Sequence, residues 1–241
     1  MVKANNIKWI KVNTYDEMSK MAAAIFEKQL IEKPQSVLGM ATGGTPEGFY
    51  KELVQCHMKG DISFAEVNTF NLDEYVGIAA EEATSYHNYM YEHLFKHINI
   101  PRQNAHLPNG LAEDLEKECA YYDKLIEQNG GIDLQLLGIG VNGHIGFNEP
   151  GTSFQTRTHI VELAEKTRQD NAKYFPEEKE VPKLAITMGI ETIMEAKRII
   201  LLAFGENKTE TLKRIQQEGI SEEFPASCLK NHPDVTIIYG S

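Results

Sequence analysis

The stretch IDLQLLGIGVNGHIGFNEPG, Ile132 to Gly151, decides the fold. Its opening, Ile132–Gly140, is a near-continuous apolar run, the pattern of a strand buried on both faces of a sheet. The residues after it are too poor in side chains to fill a core, with His144 and Glu149 standing among glycines. Glycine permits close backbone approach and positive φ at an entropic cost. Such a strand tip is either a bare turn or a cradle that holds His144 and Glu149 against something small.

Working outward, short apolar runs alternate with longer amphipathic ones. Ile7–Val12 reads as a strand, and Thr14 caps a helix through about Glu32. Ser36–Ala41 is a second strand, ended by the turn TGGTP, where Pro46 suits the first position of a helix running to about Met58. Val67–Asp73 reads as a third strand, followed by helices over about Ser85–His97 and Asp114–Gln128. Beyond the central strand come Arg198–Phe204, a helix from Lys208 to about Glu218, and Val235–Gly240. Strands alternating with helices predict an α/β fold with a mostly parallel sheet covered on both sides. With no internal repeat or linker, residues 1–241 read as one domain. Between Pro150 and about Pro182 the pattern breaks down, and a long stretch without clear elements reads as a lid or as a solvated excursion.

Bulk properties exclude several functions. A net charge of -11 argues against nucleic acid, whose phosphates need a basic surface. No apolar segment approaches the roughly 20 residues that span a bilayer, and MVKANNIKWIKV lacks a leader's apolar run. Cys56, Cys119 and Cys228 offer neither a disulfide framework nor zinc spacing. The expectation is a cytoplasmic protein acting on a small molecule, with no nucleic acid and no membrane.

In open parallel sheets, ligands gather at the carboxyl ends of strands, and three loops fall there. GMATGGTPEG (Gly39–Gly48) combines adjacent glycines, the hydroxyls of Thr42 and Thr45 and a helix start, which suits a phosphate; a tight strand-to-helix turn also wants glycines. It lacks the Lys-Ser/Thr ending of a P-loop. FNLDEYVG (Phe70–Gly77) carries Asp73 just past an apolar strand, where desolvation could tune a general base. On local sequence alone the simpler reading prevails, Asp73 as a turn cap and Glu74 as a solvated acid. In the third loop no H-E-x-x-H helix or G-x-S-x-G elbow exists, which leaves a histidine oriented by a carboxylate, or a structural histidine. Lys208, at a helix start after a buried strand, could reach the same phosphate as the Thr42–Thr45 loop.

TGGTPEG, NLDEYVG, SYHNYM, LLGIGVNGHIGFNEPG and VPKLAITMGI succeed one another in an order and spacing that resembles the glucosamine-6-phosphate deaminases across essentially the whole chain. The resemblance implies a three-layer α/β/α fold of the ribose-phosphate isomerase and phosphogluconolactonase kind. It implies conversion of glucosamine 6-phosphate and water to fructose 6-phosphate and ammonium, without metal or organic cofactor. On the matching positions, Asp73 is the base that moves a proton from carbon 2 to carbon 1. His144 assists ring opening, with Glu149 as its acidic partner. Thr42, Gly43, Gly44, Thr45 and Lys208 match the phosphate-binding positions.

Departures from the pattern carry further expectations. Asn142 stands where many members have an Asp, which leaves Glu149 as the carboxylate of the relay. Lys173 aligns with a phosphate-contacting arginine of longer members and lacks its bidentate fork. Where regulated members have a basic effector site, this chain has Arg157, His159 and Val161, and it stops at Ser241. It resembles the short, unregulated branch, as a monomer or small homo-oligomer with no activation by N-acetylglucosamine 6-phosphate. The rival readings are a 6-phosphogluconolactonase on the same scaffold, a non-catalytic sugar-phosphate sensor and a generic nucleotide-binding domain.

Overall fold

The computed structural model describes residues 7–241; residues 1–6, which open the N-terminal stretch considered for a leader, lie outside the described residues. In chain order the elements are β1 (Ile7–Lys11), α1 (Tyr15–Glu32), β2 (Val37–Met40), α2 (Glu47–Lys59), β3 (Asn68–Asn71), β4 (Asp73–Tyr75), α3 (Tyr86–His93), β5 (Ala105–His106), α4 (Leu115–Gln128) and β6 (Leu134–Leu137). They continue with β7 (His159–Glu162), α5 (Glu165–Asn171), β8 (Leu184–Thr187), α6 (Ile190–Met194), β9 (Ile199–Phe204), α7 (Thr209–Gln217) and β10 (Val235–Gly240).

Local chemistry sets the helix starts. Thr14 accepts from the Glu17 N–H at 3.1 Å while Glu17 reaches back to the Asn13 N–H at 2.8 Å, so both side chains satisfy donors the first turn leaves open. Asp114 and Ser85 cap α4 and α3 by accepting the Lys117 and Asn88 N–H groups. Gly60 ends α2 in the left-handed conformation, φ 82°.

Seven strands form a parallel sheet in the order β1-β10-β9-β6-β2-β3-β5. All four residues of β2 and of β6 are buried, which requires cover on both faces. Taking Leu134, Leu136 and Leu137 fully out of water stabilises the centre by about 1.5–3 kcal/mol per side chain. Gln135 is the polar exception: its amide donates to Leu136 O at 2.7 Å and fills the space over Gly39, where a Cβ would lie 2.0 Å from Oε1.

From β2 the chain steps outward through β3 to β5, then returns to β6 and steps the other way through β9 to β10. Connections therefore diverge between β2 and β6, the switch point at which a crevice opens beyond the strand ends. The TGGT turn and the loop of His144 leave from these two strands.

Two expectations need correction. Val67–Asp73 is not one strand: β3 ends at Asn71, and Asp73 begins β4 in a second sheet of order β4-β8-β7, paired antiparallel with Thr187. Leu72 is the pivot, its N–H on Met40 O at 3.1 Å and its carbonyl on the Met188 N–H at 2.7 Å. The stretch 150–182 is not structureless, because it holds β7 and α5. Their signal was weak because only one face of each is covered: β7 is half-buried to exposed, and α5 buries only Thr167.

Candidate active site

The switch point opens into a cavity of about 660 Å³ whose walls include Thr42–Thr45, Asp73, His144, Lys173 and Lys208. Separate segments thus contribute to one space. Asn142 and Glu149 do not line it and stand behind His144.

One wall is the TGGT turn, leading into the N-terminus of α2. Tyrosine hydroxyls hold carbonyls of the turn and of the residue before it: Tyr89 donates to Gly43 O at 2.7 Å, Tyr15 to Thr45 O at 3.0 Å and Tyr50 to Ala41 O at 2.5 Å. With its carbonyls bound from outside, the turn can offer N–H groups and hydroxyls to an anion, aided by the helix dipole. Lys208 enters from the start of α7, its ammonium donating to Ile139 O at 2.7 Å. Burial pulls its proton affinity below lysine's usual range, Asp170 opposes the shift and Lys173 adds to it. Lys173 is more exposed, with Nζ 4.8 Å from the Tyr174 ring centroid.

Asp73 and His144 line the same cavity, with Glu74 and Glu149 beside them. Asp73 is only 7% exposed, and no donor among the described residues holds its carboxylate. Burial pushes that carboxyl up to about 8, with the charge of Glu74 adding to the effect. Glu74, expected from the sequence to be solvated, is buried at 1% exposure. It accepts the backbone N–H groups of Tyr75, Tyr86 and His87 at 2.8, 3.0 and 2.9 Å, and His87 Nδ1 lies 2.8 Å from Oε2. This side chain ties β4 to the first turn of α3. Alternation along a strand sends Asp73 and Glu74 to opposite faces, and only the fold reveals that neither face is solvent. The bare N–H groups after the cap Ser85 were the available signal.

The His144 loop explains its glycines. A Cβ on Gly140 would lie 2.3–2.5 Å from the imidazole, so only glycine lets the ring lie over this backbone. Gly146, at φ 56°, brings the loop so close to β4 that a Cβ there would stand 3.7 Å from Asp73 Oδ2. The loops of Asp73 and His144 therefore face one another. His144 Nδ1 is buried without a hydrogen-bond partner, 3.6 Å from Glu149 Oε2, within ion-pair range. Glu149 accepts from Asn142 Nδ2 at 2.6 Å and from the Thr167 hydroxyl at 2.5 Å. Burial alone would raise its proton affinity; the imidazole beside it and the donors Thr167 and Asn142 override that and bring it down to about 2. Asn142 also accepts the His144 N–H at 3.2 Å. It therefore donates to Glu149, which an ionised aspartate could not do. Thr167 was not singled out by sequence reasoning, since a threonine amid charges carries no motif.

Arg157 is occupied elsewhere. Its guanidinium meets Glu195 at 2.8 and 3.0 Å, with Asp123, Glu127 and Glu191 at 3.5–3.8 Å.

Such a cavity brings anion-holding and acid–base side chains to one space, as an isomerising enzyme of phosphorylated sugars requires. The family model of glucosamine-6-phosphate isomerases and 6-phosphogluconolactonases matches residues 11–238, and the chain belongs to this family, among its glucosamine-6-phosphate deaminases. A glucosamine-6-phosphate deaminase of Lysinibacillus sphaericus (strain C3-41) is 59% identical over 97% of this chain and 99% of its own. The solved structure of a monomeric glucosamine-6-phosphate deaminase superposes with a TM-score of 0.94 at 51% identity, covering 97% of each chain. A 6-phosphogluconolactonase from Thermotoga maritima has a TM-score of 0.78 at 19% identity, over 98% of this chain and 100% of that one; it shares the fold.

Proposed function

We propose that Asp73, His144 and Glu149 carry the reaction of this branch, glucosamine 6-phosphate and water to fructose 6-phosphate and ammonium. The observation that supports it is that Asp73 and His144 share one cavity with the Thr42–Thr45 turn and Lys208. The turn, Lys208 and, more loosely, Lys173 hold the phosphate. Binding energy is thereby used away from the reacting carbons. His144, oriented by Glu149 and Asn142, moves a proton between sugar oxygens to open the ring. Asp73 then removes the proton on carbon 2 while a proton of the substrate's ammonium group passes to the carbon 1 oxygen, giving an enolamine, and Asp73 delivers its proton to carbon 1. The iminium left at carbon 2 is hydrolysed by water to the ketone and ammonium. Each step is a proton transfer or a hydration, chemistry within reach of an imidazole, a carboxylate and water.

The stretch 150–182 acts as a lid, because α5 brings Lys166, Thr167 and Asp170 to the cavity wall. Water exclusion by such a cover protects the enolamine. No described helix is long and apolar enough to cross a membrane, and Cys56, Cys119 and Cys228 are free thiols. With the acidic charge, these features support a cytoplasmic protein that binds a sugar phosphate and no nucleic acid, and the likeness to a monomeric deaminase supports a monomer or small homo-oligomer. Ammonium release from glucosamine 6-phosphate tests the reading. Hydrolysis of 6-phosphogluconolactone with no ammonium produced would replace it with the lactonase.

A further inference from the structure

Thr167 is the one buried residue of α5, 7% exposed on a helix whose other residues are half-buried or exposed. Its hydroxyl donates to Glu149 Oε1 at 2.5 Å, and Asn142 holds Oε2 at 2.6 Å. A carboxylate gripped at both oxygens cannot rotate, and this grip leaves Oε2 turned toward the unpartnered Nδ1 of His144, 3.6 Å away. One helical turn after Thr167, on the same face of α5, Asn171 Nδ2 donates to the Tyr75 hydroxyl at 3.0 Å, and the Tyr86 hydroxyl donates to the same oxygen at 3.1 Å. One side of α5 thus engages both halves of the catalytic floor: Thr167 the His144–Glu149 half, Asn171 the β4 half that carries Asp73.

Asn142 belongs to the same loop as His144 and travels with it. Thr167 does not. Its donor is present only when α5 is seated. We propose that Thr167 is a positioning residue that makes the alignment of Glu149 with His144 conditional on the seating of α5. The proton relay then reaches its working geometry only beneath a closed cover, which keeps ring opening in step with water exclusion. The inference rests on the catalytic roles proposed for Asp73, His144 and Glu149.

The test is steady-state ammonium release by the parent, Thr167→Val, Thr167→Ser, Glu149→Gln and the Thr167→Val/Glu149→Gln double variant. A hydrogen bond to a charged group is worth enough for kcat to fall about 10–100-fold in Thr167→Val, with KM within about threefold because no phosphate contact is lost. Thr167→Ser keeps the donor and stays near the parent. Because Thr167 acts through Glu149, the double variant is no slower than Glu149→Gln alone. A merely structural threonine would give two independent losses that multiply, and that outcome overturns the proposal. Parent-like kcat in Thr167→Val while Glu149→Gln is slow overturns it too, and leaves the site reading standing. Parent-like kcat in Glu149→Gln overturns the site reading itself. Should Thr167→Val melt far below the parent by circular dichroism, Thr167→Ala removes the same donor without added bulk and is judged by the same outcomes.

Discussion

Replacing Asp73 with Asn keeps the shape of the side chain and removes its charge, and the burial of Asp73 sets the size of the response. In the general-base role proposed for it, Asp73 works ionised, so kcat/KM of the parent should rise with pH toward a midpoint near 8, where burial and Glu74 hold its titration. Asp73→Asn should lose about 10²–10⁴ in kcat and with it that dependence. Stability should move the opposite way. In the fold the carboxyl keeps its proton from its ordinary range near 3.8 up to about 8, whereas the unfolded chain has released it. Over that window the native state binds more protons, so the stability contributed by this group is present at low pH and falls as pH rises toward 8. Each unit costs about 1.4 kcal/mol. Between pH 5 and pH 8 the ceiling is therefore about 4 kcal/mol, which relaxation and water entry reduce to about 2 kcal/mol. Asn does not titrate. Melting followed by circular dichroism should thus show Asp73→Asn gaining about 4–8 °C on the parent between pH 5 and pH 8, at ~2–4 °C per kcal/mol for a chain of this size. Other groups titrate equally in both proteins and cancel. Parallel melting curves at every pH would refute the reasoning, since Asp73 would then titrate as an exposed carboxyl does.

Lys208→Met should raise KM about 10–100-fold with a smaller change in kcat, as expected for loss of a charge-assisted phosphate contact; an unchanged KM in the ammonium assay removes Lys208 from the phosphate. Gly140→Ala should lower kcat at least about tenfold, because the new methyl falls within 2.5 Å of the His144 ring; parent-like turnover would show that the ring need not lie there. In Glu74→Gln the midpoint of kcat/KM should move down in pH, since the charge that raises Asp73 is gone; an unmoved midpoint assigns the whole effect to burial. N-acetylglucosamine 6-phosphate should leave kcat and KM unchanged, because carboxylates already occupy Arg157; activation in the same assay would reveal an effector site elsewhere.

How much was legible depends on the kind of signal each feature sends. The strand of Ile132–Gly140, the cap at Thr14 and the turn at TGGTP announce themselves through neighbours in sequence, because hydrophobic period, capping and φ restriction are local properties. For the same reason the three strand-end loops could be picked out and, with the resemblance, joined into one reaction. The break at Leu72 could not be read, since it depends on pairing with β8 more than a hundred residues further on. Nor could the burial of Glu74, whose cover comes from the first turn of α3, or the role of Thr167, whose partner Glu149 lies across the cavity wall.

By itself the sequence determined a parallel α/β protein with phosphate-binding and proton-handling residue types at its strand ends. The tertiary structure alone decided which carboxylate is left without donors, which is wrapped by four, and which loop glycine makes room for the imidazole. Residue type is written in the chain, whereas desolvation and donor count are properties of the space around a side chain, and that space is assembled from distant segments.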